Sequence, residues 1–270
     1  MFTTIINDCR DDNARARQES RVASLLQTSV AFVGVQSDLE AGVQLLDILD
    51  ATEGRPGLIL VNVAPRGGHT TQWENGTPFG FFRYHDTIIV STVDGFALAG
   101  VKKFGLTDSI HLLDTHSAAA AMAAAGFITD EAAAHIPVTQ FRSFDFIPRA
   151  GVFLLQGNEL PSTPYSLEHV PDLPHAIWHI DSFGNCKTTL TSEDINTDTP
   201  IETHFGTFPY QAKLRDLADG QSALVRGSSG LGNTRLLELM TQRANFAGQY
   251  EAKIGDAIFA DQTYATRATN

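Results

Sequence analysis

The stretch SVAFVGVQSDLEAGVQLLDILDATEGRPGLILVNVA, residues 29–64, decides the fold class. It begins with a β-rich run at 29–35, continues with apolar residues at helical spacing over 38–52, and ends in a continuous apolar run at 57–64. A strand, a helix and a second strand in this order form a βαβ unit, whose strands are parallel and whose crossover is right-handed. The stretch therefore predicts a parallel sheet with helices packed against it.

The segments on either side continue the alternation of strands and helices. Strands are predicted at TTIIND (3–8), within FGFFRYHDTIIVST (79–92) and at SIHLLD (109–114), and helices at 17–28 and in the alanine-rich run 116–126. Asp38 is placed to cap the helix at 38–52. We therefore predict an α/β protein whose N-terminal domain, residues 1–156, is a mainly parallel α/β sandwich.

The composition of the chain changes after residue 156. GNELPSTPYSLEHVPDLPH, residues 157–175, is rich in proline and lacks apolar periodicity, which predicts an interdomain linker. Beyond it, short β-like runs such as AIWHID, KTTLT and KIGDAIFA predict a smaller C-terminal β-barrel-like domain over 176–264. One segment differs, because RLLELMTQRANFAGQY (235–250) carries apolar residues at helical spacing and predicts a helix.

Charge and composition exclude several classes of function. The 270-residue chain has a formal net charge of -12 and no run of Lys or Arg, which argues against nucleic acid as a partner. It contains no 18 successive apolar residues and no basic, apolar leader, so we expect a cytoplasmic protein without a membrane segment. Cys9 and Cys186 are too few for a disulfide framework and are expected to be thiols. The histidines lack metal-ligand spacing, so no metal is predicted.

HIDSFGNCKTTL, residues 179–190, has two interpretations. Gly184 and Asn185 tolerate positive φ, so the segment is typical of a β-hairpin turn. Alternatively, Asp181 and Asn185 project into a binding pocket that has Phe183 as its wall. The residues of this segment alone leave both interpretations open.

Six segments, in order along nearly the whole chain, carry a family resemblance. They are IINDCRDD (5–12), SDLEAGVQLL (37–46), VNVAPRGG (61–68), VDGFALAG (93–100), HIDSFGNCKTTL (179–190) and GSSGLGNTRLLEL (227–239). The fifth is similar to a D-x-F-G-N-x-x-T-N signature, with Thr189 in place of the final Asn. Together these segments resemble the S-adenosylmethionine (SAM) hydroxide adenosyltransferase family, whose relatives include the fluorinase and chlorinase enzymes.

The resemblance implies both a fold and a reaction. The fold is an N-terminal α/β domain and a C-terminal β-barrel-like domain, assembled as a homotrimer with SAM or adenosine bound at the subunit interfaces. It also implies that the LLELMT part of 235–250 is a strand. The reaction is attack of water on the ribose C5′ of SAM, which gives adenosine and methionine; SAM is then a substrate and no cofactor is needed.

The resemblance also implies which residues bind the ligand. The substrate-binding set is Asp8, Asp181, Phe183, Asn185, Ser228 and Ser229. Asp8 follows the first strand, where a carboxylate can accept hydrogen bonds from both ribose hydroxyls; alternatively it is a solvated turn acid beside Asp11 and Asp12. Asp181 and Ser228 hold the ligand's ammonium group, and Ser229 lies close to its carboxylate. Phe183 and Asn185 surround the nucleoside.

The residues that position water in the family are replaced here. Its Asp, Arg and His correspond to Ala64, Thr71 and Arg142. Candidates for a rearranged catalytic set are His69, Thr71, Arg142 and Ser143. His69 is either a base, with a pKa of about 6.5 in the absence of perturbation, or an exposed loop histidine.

Arg142 also has two interpretations, and so does the function as a whole. Arg142 either holds an anion or forms a salt bridge with Asp145 or a neighbouring subunit. The function expected is cleavage of SAM at C5′. The alternatives are a SAM- or adenosine-binding protein without turnover and a transferase that uses a different nucleophile.

Overall fold

The computed structural model describes residues 1–64 and 76–260. The chain divides into an N-terminal unit, whose described residues are 1–64 and 76–172, and a C-terminal unit beginning at Leu173. Within the described ranges, no helix is long and apolar enough to cross a membrane. Each unit is built around a sheet of its own.

The N-terminal sheet has seven strands in the order β2-β1-β3-β5-β4-β6-β7. They are β1 (Phe2–Asn7), β2 (Ala31–Gly34), β3 (Gly57–Asn62), β4 (Phe79–Tyr84), β5 (Thr87–Thr92), β6 (Ser109–Leu113) and β7 (Ser162–Ser166). The pairs β1-β2, β1-β3 and β3-β5 are parallel, whereas β4 and β7 run antiparallel to their neighbours. The predicted mainly parallel sheet is therefore confirmed.

Helices cover both faces of this sheet. They are α1 (Asp12–Leu26), α2 (Asp38–Thr52), α3 (Ala99–Lys103), α4 (Thr115–Ala124), α5 (Asp130–His135), α6 (Arg142–Asp145) and α7 (Ile147–Leu155). Leu58 and Leu60 of β3 pack in one core cluster with Phe153 of α7. Since side chains alternate along a strand, the equally buried Ile59 and Val61 face the opposite side, where α2 contacts β3. This arrangement is the α/β sandwich predicted from the sequence.

The start of α2 differs by one residue from the prediction. Ser37, not Asp38, is the N-cap, and its side chain accepts the N–H of Glu40 at 3.1 Å. Asp38 instead accepts the N–H of Phe96 at 2.8 Å, which ties α2 to the segment before α3. Burial raises the pKa of Asp38 above its ordinary value, although the hydrogen bond from Phe96 opposes the shift.

Two glycines let α2 and α3 approach each other closely. A Cβ added to Gly42 of α2 would overlap the carbonyl oxygen of Phe96. A Cβ added to Gly100 of α3 would lie 2.8 Å from the carbonyl oxygen of Gly42. Both contacts are with backbone atoms, which cannot rotate away as a side chain can. The glycines of DLEAG and FALAG therefore have a packing role.

The predicted linker, 157–175, differs from the structure. Its residues Ser162–Ser166 form β7, which pairs antiparallel with β6 at the edge of the N-terminal sheet. Pro164 lies opposite His111 in this pair. An edge strand tolerates proline because only one of its sides needs backbone donors. The N-terminal unit consequently extends to Asp172 rather than ending at residue 156.

The C-terminal unit is rich in β-structure, as predicted. Its five-stranded sheet contains β8 (Ile177–Ile180), β9 (Cys186–Thr191), β12 (Tyr210–Gln211), β13 (Ser222–Leu231) and β14 (Thr234–Thr241), and a separate hairpin contains β10 (Ile201–Thr203) and β11 (Gly206–Phe208). The order of the larger sheet is β12-β13-β14-β9-β8. In the part of the unit that the structure describes, β12 and β8 are the terminal strands and do not pair with each other, so the sheet does not close into a barrel.

The prediction of a helix at 235–250 from apolar spacing is wrong for most of these residues. Thr234–Thr241 is β14, paired antiparallel with β13, and only Phe246–Tyr250 is helical (α8). Leu237 and Leu239 of β14 lie in the core cluster of this unit. Pairing with two neighbouring strands outweighs the helical spacing, and the strand agrees with what the family resemblance implies. KIGDAIFA, predicted as a strand, forms only a single bridge between Ala257 and Ala176.

Candidate functional site

Asp8 follows β1 at the point where the strand order of the N-terminal sheet reverses. β1 connects through α1 to β2 on one side, and β2 connects back through α2 to β3 on the other side of β1. The N–H of Asp8 donates to the carbonyl of Asn62 at 3.3 Å, and the N–H of Ala64 donates to Asp8 Oδ2 at 3.0 Å. The half-buried carboxylate is thus held between the carboxyl ends of β1 and β3, the usual ligand position in open α/β sheets.

A buried polar network supports the loop that carries Asp8. Asn7 is fully buried, and its Nδ2 donates to Gln18 Oε1 at 2.7 Å. Its Oδ1 accepts the N–H of Cys9 at 2.8 Å and Nδ2 of Asn62 at 3.3 Å. These amides fix the backbone on both sides of Asp8. The sequence analysis missed Asn7 and Asn62. Their position at the ends of the apolar runs TTIIN and LILVN was the available indication that they have a role at the strand ends.

The acids near Asp8 have other roles. Asp11 is the N-cap of α1 and accepts the N–H groups of Asn13 and Ala14 at 3.1 and 3.0 Å. Asp12 is exposed in the first turn of the helix. Of the three acids, Asp8 is the one whose carboxylate contacts the end of β3. The three residues are therefore not a single solvated acidic turn.

Asp181 closes the turn between β8 and β9. Its Oδ1 accepts the N–H groups of Phe183 and Asn185 at 2.9 and 3.0 Å, and its Oδ2 accepts Nδ2 of Asn185 at 2.9 Å. Partial burial acts to raise the pKa of Asp181, but these hydrogen bonds and the charge of Lys187 hold it below its ordinary value. The hairpin interpretation is therefore correct for the backbone. A contact between Asp181 and a ligand stays a prediction.

The other residues of the turn have distinct surroundings. Gly184 has φ +82°, and a Cβ there would overlap the side chain of Asn245. Phe183 is 77% exposed at the tip of the turn, so its ring has a free face for the predicted nucleoside. Gly184 is consequently required by both conformation and packing.

Thr189 occupies the position where the family signature has Asn. Its buried hydroxyl donates to the carbonyl of Pro174 and accepts the N–H of Ala176 at 3.0 Å. These bonds join β9 to the segment that precedes β8. Thr189 therefore has a structural role within the C-terminal unit.

We expect Thr189→Val to lower the free energy of unfolding by about 1–3 kcal/mol, because the buried N–H of Ala176 loses its acceptor. Urea unfolding followed by fluorescence measures the change. Thr207→Val, on the exposed part of β11, is the matched control and should change stability by less than about 0.5 kcal/mol. Equal losses in the two variants would contradict the role given to Thr189.

Ser228 and Ser229 lie at an irregularity of β13 and share one cation. The pairing of β13 with β14 shifts register between Arg226 and Gly230. Lys187 Nζ donates to Ser229 Oγ at 2.9 Å and to Ser228 Oγ at 3.2 Å. The structure thus brings together two predicted site residues with a third, Lys187, that the sequence analysis missed.

Glu238 completes this cluster. Its Oε1 lies 3.5 Å from Lys187 Nζ and accepts the N–H of Ser228 at 3.2 Å. The residue is only 5% exposed. The sequence analysis also missed Glu238. Its position inside the apolar run RLLELM indicated a buried acid, and an acid is seldom buried unless it has partners.

Among the described residues, Arg142 is held by a backbone carbonyl and an aromatic ring. Its Nη2 donates to the carbonyl of Thr77 at 2.8 Å, and its guanidinium lies over the ring of Phe79, 5.4 Å from the centroid. Burial lowers its pKa. Asp145 instead pairs with His135 at 3.4 Å and Arg149 at 3.8 Å, so the alternative of an Arg142–Asp145 salt bridge is not observed.

Arg142 also lines a cleft of about 900 Å³ at the carboxyl end of β6. Asp114, His116, Thr139 and Gln140 line the same cleft. Ser143 is half-buried in α6 and is not among the lining residues. The other two predicted catalytic residues, His69 and Thr71, lie outside the described residues.

No protein-family model and no curated protein matches the chain. Among solved structures, an uncharacterized conserved protein from Thermotoga maritima aligns with TM-score 0.64 and 13% identity, over 94% of this chain and 98% of that one. The likeness is one of fold. A conserved hypothetical protein from Thermus thermophilus aligns with TM-score 0.52 and 17% identity, over 94% and 97% of the two chains. The described architecture is therefore shared with these two proteins along nearly the whole chain.

Proposed function

We propose that the protein binds SAM and cleaves it by nucleophilic attack at the ribose C5′. The observation that carries this proposal is the position of Asp8 between the carboxyl ends of β1 and β3, beside the backbone of Ala64. A carboxylate has about four lone-pair positions. One of these positions on Asp8 accepts the N–H of Ala64. The remaining lone pairs can accept hydrogen bonds from two adjacent hydroxyl groups, such as the 2′ and 3′ hydroxyls of a ribose.

The C-terminal unit offers partners for the amino acid half of SAM. The lowered pKa of Asp181 keeps a negative charge available for an ammonium group. Ser228 and Ser229 supply hydroxyl groups beside the ammonium of Lys187. The proposed homotrimer, with ligand sites at subunit interfaces, belongs to the same proposal.

The proposed reaction places few demands on acid catalysis. The nucleophile forms a bond to C5′ while the C5′–S bond breaks and its electron pair moves to sulfur, so methionine leaves as a neutral thioether. When water is the nucleophile it must lose a proton, and Arg142 cannot accept one because a guanidinium stays protonated. The proposal therefore assigns this proton to His69, which lies outside the described residues.

A second candidate is a SAM-binding protein without turnover. It is favoured by Ala64, which stands where the family has a water-binding Asp and contributes to the site only its N–H, bound to Asp8. Without a carboxylate at that position, water lacks the general base that typically contributes about 10²–10⁴-fold.

Incubation of the purified protein with SAM separates the two candidates. Nucleosides and methionine are quantified by chromatography and mass spectrometry, with and without chloride, and binding is measured by calorimetry; a protein-free sample measures spontaneous breakdown. Adenosine and methionine in equal amounts would support cleavage by water. Binding without products would favour the second candidate, and the absence of binding would contradict both.

A further inference from the structure

One face of α1 carries arginine and serine side chains beside a groove. Arg17, Ser20, Arg21 and Ser24 follow one another at the i, i+3, i+4 and i+7 spacing, so they lie on one side of the helix. With Ala16 and with Phe144 of α6, they line a groove of about 410 Å³ in the N-terminal unit. None of these residues belongs to the site proposed for SAM.

The two arginines of this groove contact the same aromatic ring. The guanidinium of Arg21 lies 4.1 Å from the ring centroid of Phe144, and that of Arg17 lies 4.5 Å from it. A guanidinium over a ring is attracted by the negative face of the π-system. Phe144 therefore holds two guanidiniums close to each other at the groove.

The charges of Arg17 and Arg21 are not neutralised within the described residues. Neither arginine has an acid three or four positions away in α1, and Glu19 pairs instead with Arg15 at 3.1 Å. Among residues 1–64 and 76–260, Arg21 Nη1 is buried and has no hydrogen-bond partner. Like charges four positions apart destabilise a helix. The pair thus lacks a counter-ion.

A third arginine adds to the positive charge at this place. Partial burial lowers the pKa of Arg149 in α7, and the charge of Arg21 lowers it further, whereas Asp145 opposes the shift. Asp145 is shared between Arg149 at 3.8 Å and His135 at 3.4 Å. This part of a chain with a formal net charge of -12 is therefore locally positive.

We infer that the groove binds a phosphate group through Arg17 and Arg21. Guanidiniums bind phosphate oxygens through paired, charge-assisted hydrogen bonds. A phosphate group carries about −1.5 to −2 charge at pH 7, which matches two guanidiniums better than a single carboxylate does. Ser20 is exposed on the same face and supplies a hydroxyl donor, whereas Ser24 Oγ already donates to the carbonyl of Arg21 at 2.8 Å.

This site is independent of the proposed function. The phosphate is either the free ion or part of a larger ligand, because the groove has room for more than one phosphate group. The competing explanation is that Phe144 and the two arginines only join α1 to α6. It predicts that Arg21→Gln lowers stability in phosphate-free buffer and that the parent protein does not bind phosphate.

Phosphorus NMR titration of the full chain distinguishes these explanations. At about 0.15 M sodium chloride, which screens attraction between distant charges, inorganic phosphate should bind the parent protein with a Kd of about 1 mM or lower. Arg17→Gln and Arg21→Gln should each weaken binding by at least about tenfold. Arg21→Lys should retain part of the affinity, because an ammonium keeps the charge but lacks the guanidinium fork.

A parallel titration with glycerol phosphate separates the two sources of phosphate. Tighter binding of glycerol phosphate than of inorganic phosphate would identify the phosphate as part of a larger ligand. Weaker binding of glycerol phosphate would identify the free ion.

Arg15→Gln is the matched control, because it removes the same charge from the same helix at an exposed residue that pairs with Glu19. It should bind phosphate within about twofold of the parent. If Arg21→Gln fails to fold, Arg17→Gln, at an exposed position, carries the test. A parent protein that does not bind phosphate, or equal losses in Arg15→Gln and Arg17→Gln, would overturn the inference.

Discussion

We expect the Asp8→Ala variant to bind SAM at least about 100-fold more weakly than the parent protein does. Two hydrogen bonds to a charged acceptor contribute about 1.5–3 kcal/mol each, and about 1.4 kcal/mol corresponds to a factor of ten in affinity. The loss should be large because Asp8 is positioned in advance by Ala64 and by the network around Asn7. Calorimetric titration of both proteins with SAM measures the difference.

The matched control for Asp8 is Asp12→Ala. Asp12 lies four residues along the chain and carries the same formal charge, but it is exposed in the first turn of α1. Asp12→Ala should therefore change SAM affinity by less than about twofold, since screened surface charges contribute little. Similar losses of SAM affinity in the two variants would mean that Asp8 acts through the net charge of the protein rather than through contact with the ribose.

The Gly42→Val variant should lower the free energy of unfolding by about 3 kcal/mol or more. The new Cβ would overlap the carbonyl oxygen of Phe96, and the valine methyl groups would crowd the close approach of α2 to α3. The melting temperature should then fall by about 6–12 °C. Thermal unfolding followed by circular dichroism measures the change.

Ala51→Val provides the comparison for this variant. It introduces the same side chain into the same helix at an exposed position. Its cost should stay below about 0.7 kcal/mol, the difference in helix propensity. A Gly42→Val protein as stable as Ala51→Val would show that α2 and α3 can separate without loss.

The sequence predicts the N-terminal fold well because the central strands of its parallel region contain short apolar runs. Strands such as Gly57–Asn62 are buried on both faces, so their composition alone marks them. The strand at Ser162–Ser166 was predicted as a linker because an edge strand needs neither apolar residues nor all of its donors. The periodicity of residues 235–250 predicts a helix because their apolar residues fit helical spacing, whereas the family resemblance implies a strand for the LLELMT part. The pairing of Thr234–Thr241 with β13 and β9 decides for the strand.

The candidate site divides in a similar way. Asp8 and Asp181 could be selected because the family resemblance includes both positions, and each directly follows a strand. Lys187 and Glu238 were missed because they meet only through pairing of β9 with β14, which includes a register shift between Leu236 and Glu238. A sequence carries no direct record of such shifts. The contacts of Arg142 with Thr77 and Phe79 join residues more than 60 positions apart and were equally inaccessible.

The pairing of β6 with β7 also determines when the N-terminal sheet can be completed during synthesis. β6 ends at Leu113, but its edge partner begins only at Ser162. When residue 156 has left the ribosome, β7 has not yet emerged and the outer edge of β6 is still unpaired. At this open edge, nascent chains can pair with one another. Slow translation between residues 157 and 172 would lengthen the period in which such misassembly occurs.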